Sequence, residues 1–334
     1  MFLLKREYFI QNFIIKGLFT AILLSLFIYL SYFDIEIKII NTLIGLLGIY
    51  FLLTIPKKAL FIAGFFTGIL WCNWMSVSLQ YYDLKYLTPV LILGIGLVYG
   101  IIFYLFAFID KLTIRILMVF GFTFFAPFGF NWMKFELLFI DSYISTSKIA
   151  FALILISFYF IIKLKKHKLL GIIPLLFIFD FGKGTYIDTP KAKIYMPQMY
   201  INQDLKWQKE YQKELNAKNI EEIHKAIDLK KDLVILPETA FSTALNRNVI
   251  LLNELKNLSF SIDIITGALY VENNQIFNAT YHISNGEVKI AQKVVLVPFG
   301  EKIPLPKYFV DLINKTFYNG AQDYTEASSP TDFV

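Results

Sequence analysis

Long uncharged stretches dominate the first half of the chain, and short apolar runs set in polar sequence dominate the second. Uninterrupted uncharged runs cover 17–33, 39–56, 59–82, 86–109 and 116–133. Each is near or above the roughly 20 residues a helix needs to cross a hydrocarbon core of about 30 Å. Two weaker runs follow: 149–162, extendable backwards across Lys148, and 169–182, which carries Asp180. The pattern predicts a membrane domain over 1–187 with about seven transmembrane helices.

After Gly182-Lys183-Gly184 and Pro190 the rhythm changes, placing a domain boundary near residue 188. Strands are expected at 192–197, 232–236, 262–268, 276–283 and 287–296. A helical region over 204–231, started by Asp204 and broken near Asn216 to Asn219, separates the first two strands. A second helix over 247–258 separates the next two. Strand and helix alternating, then a meander, predicts an α/β domain with a mixed sheet.

Charge sharpens the picture. Residues 1–190 hold 16 Lys/Arg and 9 Asp/Glu, and residues 191–334 hold 16 and 17, so the net charge of +6 is +7 in the first part and −1 in the second. A positive excess confined to a membrane domain reports topology and speaks against a nucleic-acid partner. The loop Lys163-Leu-Lys-Lys-His-Lys168 holds four lysines in six residues, and such clusters stay cytoplasmic. With seven spans, the segments then predicted inside carry Lys5, Arg6, Lys57, Lys58, Lys111, Arg115 and those four lysines. The segments predicted outside carry only Lys38, Lys85, Lys134, Lys148 and Lys183. The ten-against-five bias predicts a cytoplasmic N-terminus and a second domain outside. The alternative, that 169–182 does not cross, puts that domain in the cytoplasm. Trp71, Trp74, Tyr81, Tyr82, Tyr86, Trp132 and Tyr143 cluster where outer interfaces are expected, as an aromatic belt does.

The single cysteine, Cys72, rules out an intramolecular disulfide and a Cys-rich metal site, and His167, His224 and His282 are too scattered to suggest a metal. The apolar run after Lys5 and Arg6 lacks a small-residue cleavage site, so it is expected to be a retained first span.

Two segments could carry chemistry. Leu236-Pro237-Glu238-Thr239 places a carboxylate just past a buried strand, where α/β sheets bind ligands. Beside Ile235 and Phe241, desolvation is expected to raise the Glu238 pKa and suit it to act as a general base; the plain alternative is a loop glutamate capping the turn. In Lys293-Val-Val-Leu-Val-Pro-Phe-Gly-Glu301 a strand lysine precedes a turn glutamate by eight residues. It could supply an oxyanion-stabilising cation and a second carboxylate to one cleft, or be a solvated lysine and an ordinary turn.

Together these segments resemble the nitrilase-like domain of the apolipoprotein N-acyltransferase family, within the carbon-nitrogen hydrolase superfamily. Pro197-Gln198 and Gln203-Asp-Leu-Lys206-Trp207 resemble that family's Q-x-N-x-x-Q-x-x-K-W stretch, with Tyr200 where Asn is usual. Gly267 and Asn278 match its next strands, although Phe277-Asn-Ala stands for Y-N-S and Val295 for the usual histidine. The resemblance implies a multi-span α-helical membrane domain followed, over 188–334, by an α/β nitrilase-like αββα sandwich. It implies a Glu-Lys-Cys triad: Glu238 as general base, Lys293 stabilising the oxyanion and Glu301 supporting the lysine. Trp207 and Gln203 are implied at the substrate cleft, with no metal and no cofactor.

The implied reaction moves an acyl group from a phospholipid, chiefly phosphatidylethanolamine, through a cysteine thioester to the amine of a diacylglyceryl-cysteine on an apolipoprotein. A monomer in a bacterial inner membrane, with its catalytic domain periplasmic, is the implied setting. The nucleophile of the resemblance has no counterpart in these residues, so the second domain is expected to be incomplete at its C-terminal side. Cys72, expected to pack within a helix beside Trp71 and Trp74, is a poor substitute. Two other readings stay open: a non-catalytic membrane remnant and a membrane-tethered amidase. Residues 303–318, apolar and polar in turn around two prolines, read as an arm dipping into the bilayer or as a surface helix.

Overall fold

The computed structural model describes residues 2–82, 84–126, 133–164, 166–179, 191–201, 203–303, 305–317 and 323–333. The chain divides into two compact units, residues 1–80 with 84–186 and residues 187–334 with 81–83. The boundary expected near 188, and with it Asp180 and Trp132, lies outside the described residues.

The first unit is helical. Its helices are α1 (Phe2–Tyr32), α2 (Lys38–Thr54), α3 (Lys57–Cys72), α4 (Thr88–Leu105), α5 (Leu112–Phe122) and α6 (Lys148–Lys163). Among the described residues three stretches are long and apolar enough to cross a membrane: Asn12–Tyr32, Lys57–Gln80 and Lys85–Leu105. The other expected spans correspond to shorter elements. α2 has 17 residues, α5 has 11 and α6 has 16. The last, Lys168–Phe177, is a ten-residue 3-10 helix interrupted by Pro174, which removes a backbone donor.

α3 and α4 touch through glycines. A Cβ on Gly64 would lie 2.4 Å from the Tyr99 carbonyl oxygen, and one on Gly68 would lie 2.8 Å from the Tyr99 Cβ. Gly96 and Gly100 repeat the spacing on the facing helix, so backbones approach as small residues four apart allow. Trp71 departs from the aromatic-belt expectation: it is buried and donates Nε1–H to the Leu24 carbonyl at 3.0 Å. Trp74 and Tyr86 are exposed.

In the second unit a six-stranded sheet comprises β1 (Ile194–Tyr195), β2 (Leu233–Ile235), β3 (Phe241–Ala244), β4 (Asp263–Glu272), β5 (Gln275–Ser284) and β6 (Glu287–Gln292). β1, β2 and β4 are parallel neighbours, and β4, β5 and β6 form an antiparallel meander. Two-residue turns close the meander: Asn273-Asn274 and Asn285-Gly286, all at positive φ. Such turns match the twist of paired strands. The four-residue β3 escaped the sequence pattern because only its pairing with β4 makes it a strand.

Helices α8 (Lys209–Asp228) and α9 (Val249–Leu258) cover one sheet face. Ile223, Ala226, Leu251 and Leu255 meet Val234, Ile264, Ala268, Ala279, Tyr281 and Ile283 in one core. Alternation then turns Ile265, Gly267, Asn278 and Thr280 toward the opposite face. The expected break near Asn216 to Asn219 is absent; α8 is continuous, and the interruption falls at residues 207–208, after α7 (Gln203–Lys206). Asn219 does not end the helix because its buried amide donates to the Ala240 carbonyl at 2.7 Å.

Candidate active site

β2 and β3 pair with the same edge of β4, so the chain between them, Leu236 to Ala240, must leave that edge and return. The Leu236 N–H still bonds the Ile265 carbonyl, and the Gly267 N–H bonds the Pro237 carbonyl at 3.3 Å. The kink is completed by Thr239 at φ 50°, a conformation unfavourable for a β-branched residue. Gly267 faces it at close range: a Cβ there would lie 2.3 Å from the Thr239 nitrogen and 2.8 Å from the Glu238 Cα. Only glycine lets the kink sit down on β4, and the kink presents Glu238 on the face opposite the helices.

Two further elements deliver their side chains to the same place. The Lys293 N–H bonds the Asn278 carbonyl at 2.8 Å, continuing the β5–β6 register by one residue. The turn after it carries Phe299 at φ 60° and folds Glu301 back, where Oε2 accepts the Val297 N–H at 2.8 Å.

The Lys293 ammonium lies 2.7 Å from Glu238 Oε1 and 3.0 Å from Glu301 Oε2. The Asn278 amide nitrogen bridges the same pair, 2.6 Å from Glu238 Oε1 and 2.8 Å from Glu301 Oε1. Two carboxylates thus share one cation and one amide. The Glu238 side chain is 61% exposed, Lys293 27% and Glu301 12%. The buried Lys206 donates to the Glu238 main-chain carbonyl at 3.0 Å.

Glu238 opens onto a cavity of about 450 Å³ lined also by Ile235, Ile265, Thr280, Lys293 and Pro330. Among the described residues no three His, Cys, Asp or Glu side chains converge as a metal site would require.

Electrostatics correct one expectation. Desolvation is the largest single influence on Glu238 and does push its pKa up. The hydrogen bond and charge of Lys293, the Asn278 amide and the charge of Lys206 together outweigh it, so Glu238 sits below the ordinary carboxylate range. For Lys293, burial pushes the pKa down, but bonding to Glu238 and Glu301 prevails and holds it above the ordinary lysine value. The resting pair is an ion pair, not a carboxylate poised near neutrality.

The structure therefore brings Glu238, Lys293 and Glu301 together. It does not gather every residue of the cleft proposal: Trp207 is 45% exposed and is absent from the cavity lining, and the side chain of Gln203 lies outside the described residues. Sequence reasoning assigned no role to Asn278 or Lys206. An asparagine one residue before an Ala-Thr pair in a strand gives no local sign that it will bridge two glutamates from distant segments.

The family model described as the apolipoprotein N-acyltransferase integral membrane domain matches residues 11–181. A curated apolipoprotein N-acyltransferase of Wolinella succinogenes is 40% identical over 319 residues, covering 95% of this chain and 77% of that protein. One of Helicobacter hepaticus is 36% identical over 288 residues, 84% of this chain and 71% of its own. One of Campylobacter jejuni is 36% identical over 318 residues, 94% and 71%.

Proposed function

This chain belongs to the apolipoprotein N-acyltransferase family, and from that premise we propose that Glu238, Lys293 and Glu301 form the acid–base and electrostatic part of its acyl-transfer site. The observation that carries the reading is the convergence of both carboxylates on Lys293 Nζ at the cavity rim. In the proposed first half-reaction a cysteine thiol gives its proton to Glu238, and the sulfur attacks the ester carbonyl of a phospholipid such as phosphatidylethanolamine. Lys293 stabilises the oxyanion. As charge builds on that oxygen it draws Lys293 away from Glu238, and the base strengthens at the moment it is needed. Collapse expels the lysophospholipid alkoxide, which takes the proton back from Glu238. The amine of a diacylated apolipoprotein then attacks the thioester, giving an amide and regenerating the thiol. Glu301, anchored by the Val297 N–H, keeps Lys293 over the site in both halves.

The nucleophile is not assigned to Cys72, which is buried in α3. The reading calls for a cysteine brought to the cavity side of the sheet. Two helices on one sheet face, and the catalytic cluster on the other, are what one layer pair of an αββα nitrilase-like sandwich presents. The division of the chain into domains at about residues 187/188 belongs to the same proposal. So do the seven spans, the cytoplasmic N-terminus, the periplasmic site in a bacterial inner membrane and the monomeric state. α10 (Lys307–Phe317) exposes Tyr308, Phe309 and Leu312, as a helix lying on a lipid surface does.

The test is acyl-enzyme formation by protein extracted from its own membranes, with the thioester mapped by mass. Glu238→Gln should abolish it. Undiminished acyl-enzyme in that variant removes Glu238 from the role of base.

A further inference from the structure

Glu238 is gripped at two ends. Lys293 and Asn278 hold its carboxylate, whereas Lys206, arriving from α7, holds its main-chain carbonyl. Lys206 is only 9% exposed. A lysine rarely accepts such burial without a specific partner, since removing an ammonium from water is costly. The carbonyl it binds belongs to the peptide that leads into Thr239, the residue at φ 50°. That peptide belongs to the kink on which the Glu238 side chain is mounted, so a shift of the kink carries the carboxylate away from Lys293 and the cavity. Gly267 lies close against the kink on β4, and Lys206 fastens its carbonyl.

We infer that Lys206 is a positioning residue for Glu238, fastening the peptide that aims the carboxylate and placing a second cation beside it. The inference rests on the proposed role of Glu238 as base. The charged groups facing Glu238 are Lys293 from the end of β6, Glu301 from the following turn through their shared partners, and Lys206 from α7. Burial holds the Lys206 ammonium below its ordinary pKa, with Glu238 pulling in the opposite direction. Conversely, the charge of Lys206 is one of the influences that lower Glu238. Removing that charge raises the pKa of Glu238, so the acid limb of the rate profile moves to higher pH.

The experiment compares Lys206→Met, Lys206→Gln and Glu238→Gln in the membrane-extracted enzyme, reading single-turnover acyl-enzyme formation against pH with a phosphatidylethanolamine donor. Lys206→Met should slow the step by about 100-fold, the scale of loss for a misplaced catalytic group. The donor KM should stay unchanged and the acid limb should move up. Lys206→Gln keeps a donor for the carbonyl without the charge; it should recover part of the rate while keeping the shifted limb. It also serves as the readout where the methionine variant does not fold. A wild-type acid limb in either folded variant overturns the positioning role, even when the rate falls, because a purely structural loss lowers the rate equally at all pH. A Glu238→Gln enzyme that still forms acyl-enzyme overturns the base itself, and that result is separate from any outcome at Lys206.

Discussion

Both units contain a lysine on a glutamate, and the two pairs sit in different surroundings. In the helical unit Lys148 Nζ lies 2.9 Å from Glu136 Oε1, with Glu136 only 7% exposed, and also donates to the Thr123 carbonyl at 3.0 Å. Arg115 is likewise buried and gives Nη1–H bonds to the Leu53 and Ile55 carbonyls at 2.9 and 2.8 Å. Those bonds satisfy carbonyls at the end of α2 that have no partner within their own helix. Here cations hold loops and helix ends together where water is scarce. In the sheet unit Lys293 meets two carboxylates at the edge of a cavity, and Glu238 is mostly exposed. The chemistry of the pair is the same. On the proposed reading, surroundings decide whether it is a rivet or a reagent.

Substituting the two lysines breaks the comparison most severely. Lys293→Met should reduce acyl-enzyme formation by about 1,000-fold, as loss of an oxyanion donor does, and should also lower stability, because Glu301, only 12% exposed, loses its cation while the exposed Glu238 does not need one. Lys148→Met should leave the turnover of folded enzyme intact and lower stability by about 3 kcal/mol, since Glu136 is left buried and unpaired. Rates normalised to folded protein, with thermal inactivation in detergent, separate the two. Equal effects of both variants on rate and stability would dissolve the distinction.

The two close-approach glycines sharpen it at the next level. Gly267→Ala must push the Glu238 kink away from β4, and about a 100-fold loss in rate is expected with a modest change in stability. Gly64→Ala must separate α3 from α4 at the Tyr99 carbonyl and is expected to cost about 1–3 kcal/mol, read as a lower inactivation temperature with the rate preserved.

The smallest effect is that of pH. Glu238 has a depressed pKa, so its contribution to stability is present above the ordinary carboxylate value and lost as pH falls through the depressed one. Lys293 has a raised pKa, so its contribution is present below the ordinary lysine value and lost as pH rises through the raised one. The difference in melting temperature between wild type and Lys293→Met should therefore be flat from about pH 5 to about pH 10. It should shrink on both sides. A steady slope across neutrality would show that the ion pair is not the resting state.

Much of this was legible in the residues. Runs of uncharged sequence marked the helical unit because lipid-facing helices cannot hide charge. The meander was legible because three short apolar runs, 262–268, 276–283 and 287–296, follow one another with no helical stretch between them. Glu238, Lys293 and Glu301 stood out as carboxylates and a lysine in turns next to apolar strands, and their motifs carried the family resemblance.

What chain order could not disclose was the set of contacts between segments distant in sequence. β3 is a strand only because β4 offers it an edge, and Asn219 continues α8 because Ala240 accepts its amide. The Glu238 pKa moved opposite to expectation because desolvation can be judged from neighbours along the chain, whereas the compensating charges arrive from Lys206 and Lys293 and the compensating amide from Asn278. Local pattern is set by nearest neighbours and survives in one dimension. The balance of burial against pairing is a sum over three-dimensional neighbours, and folding alone assembled it.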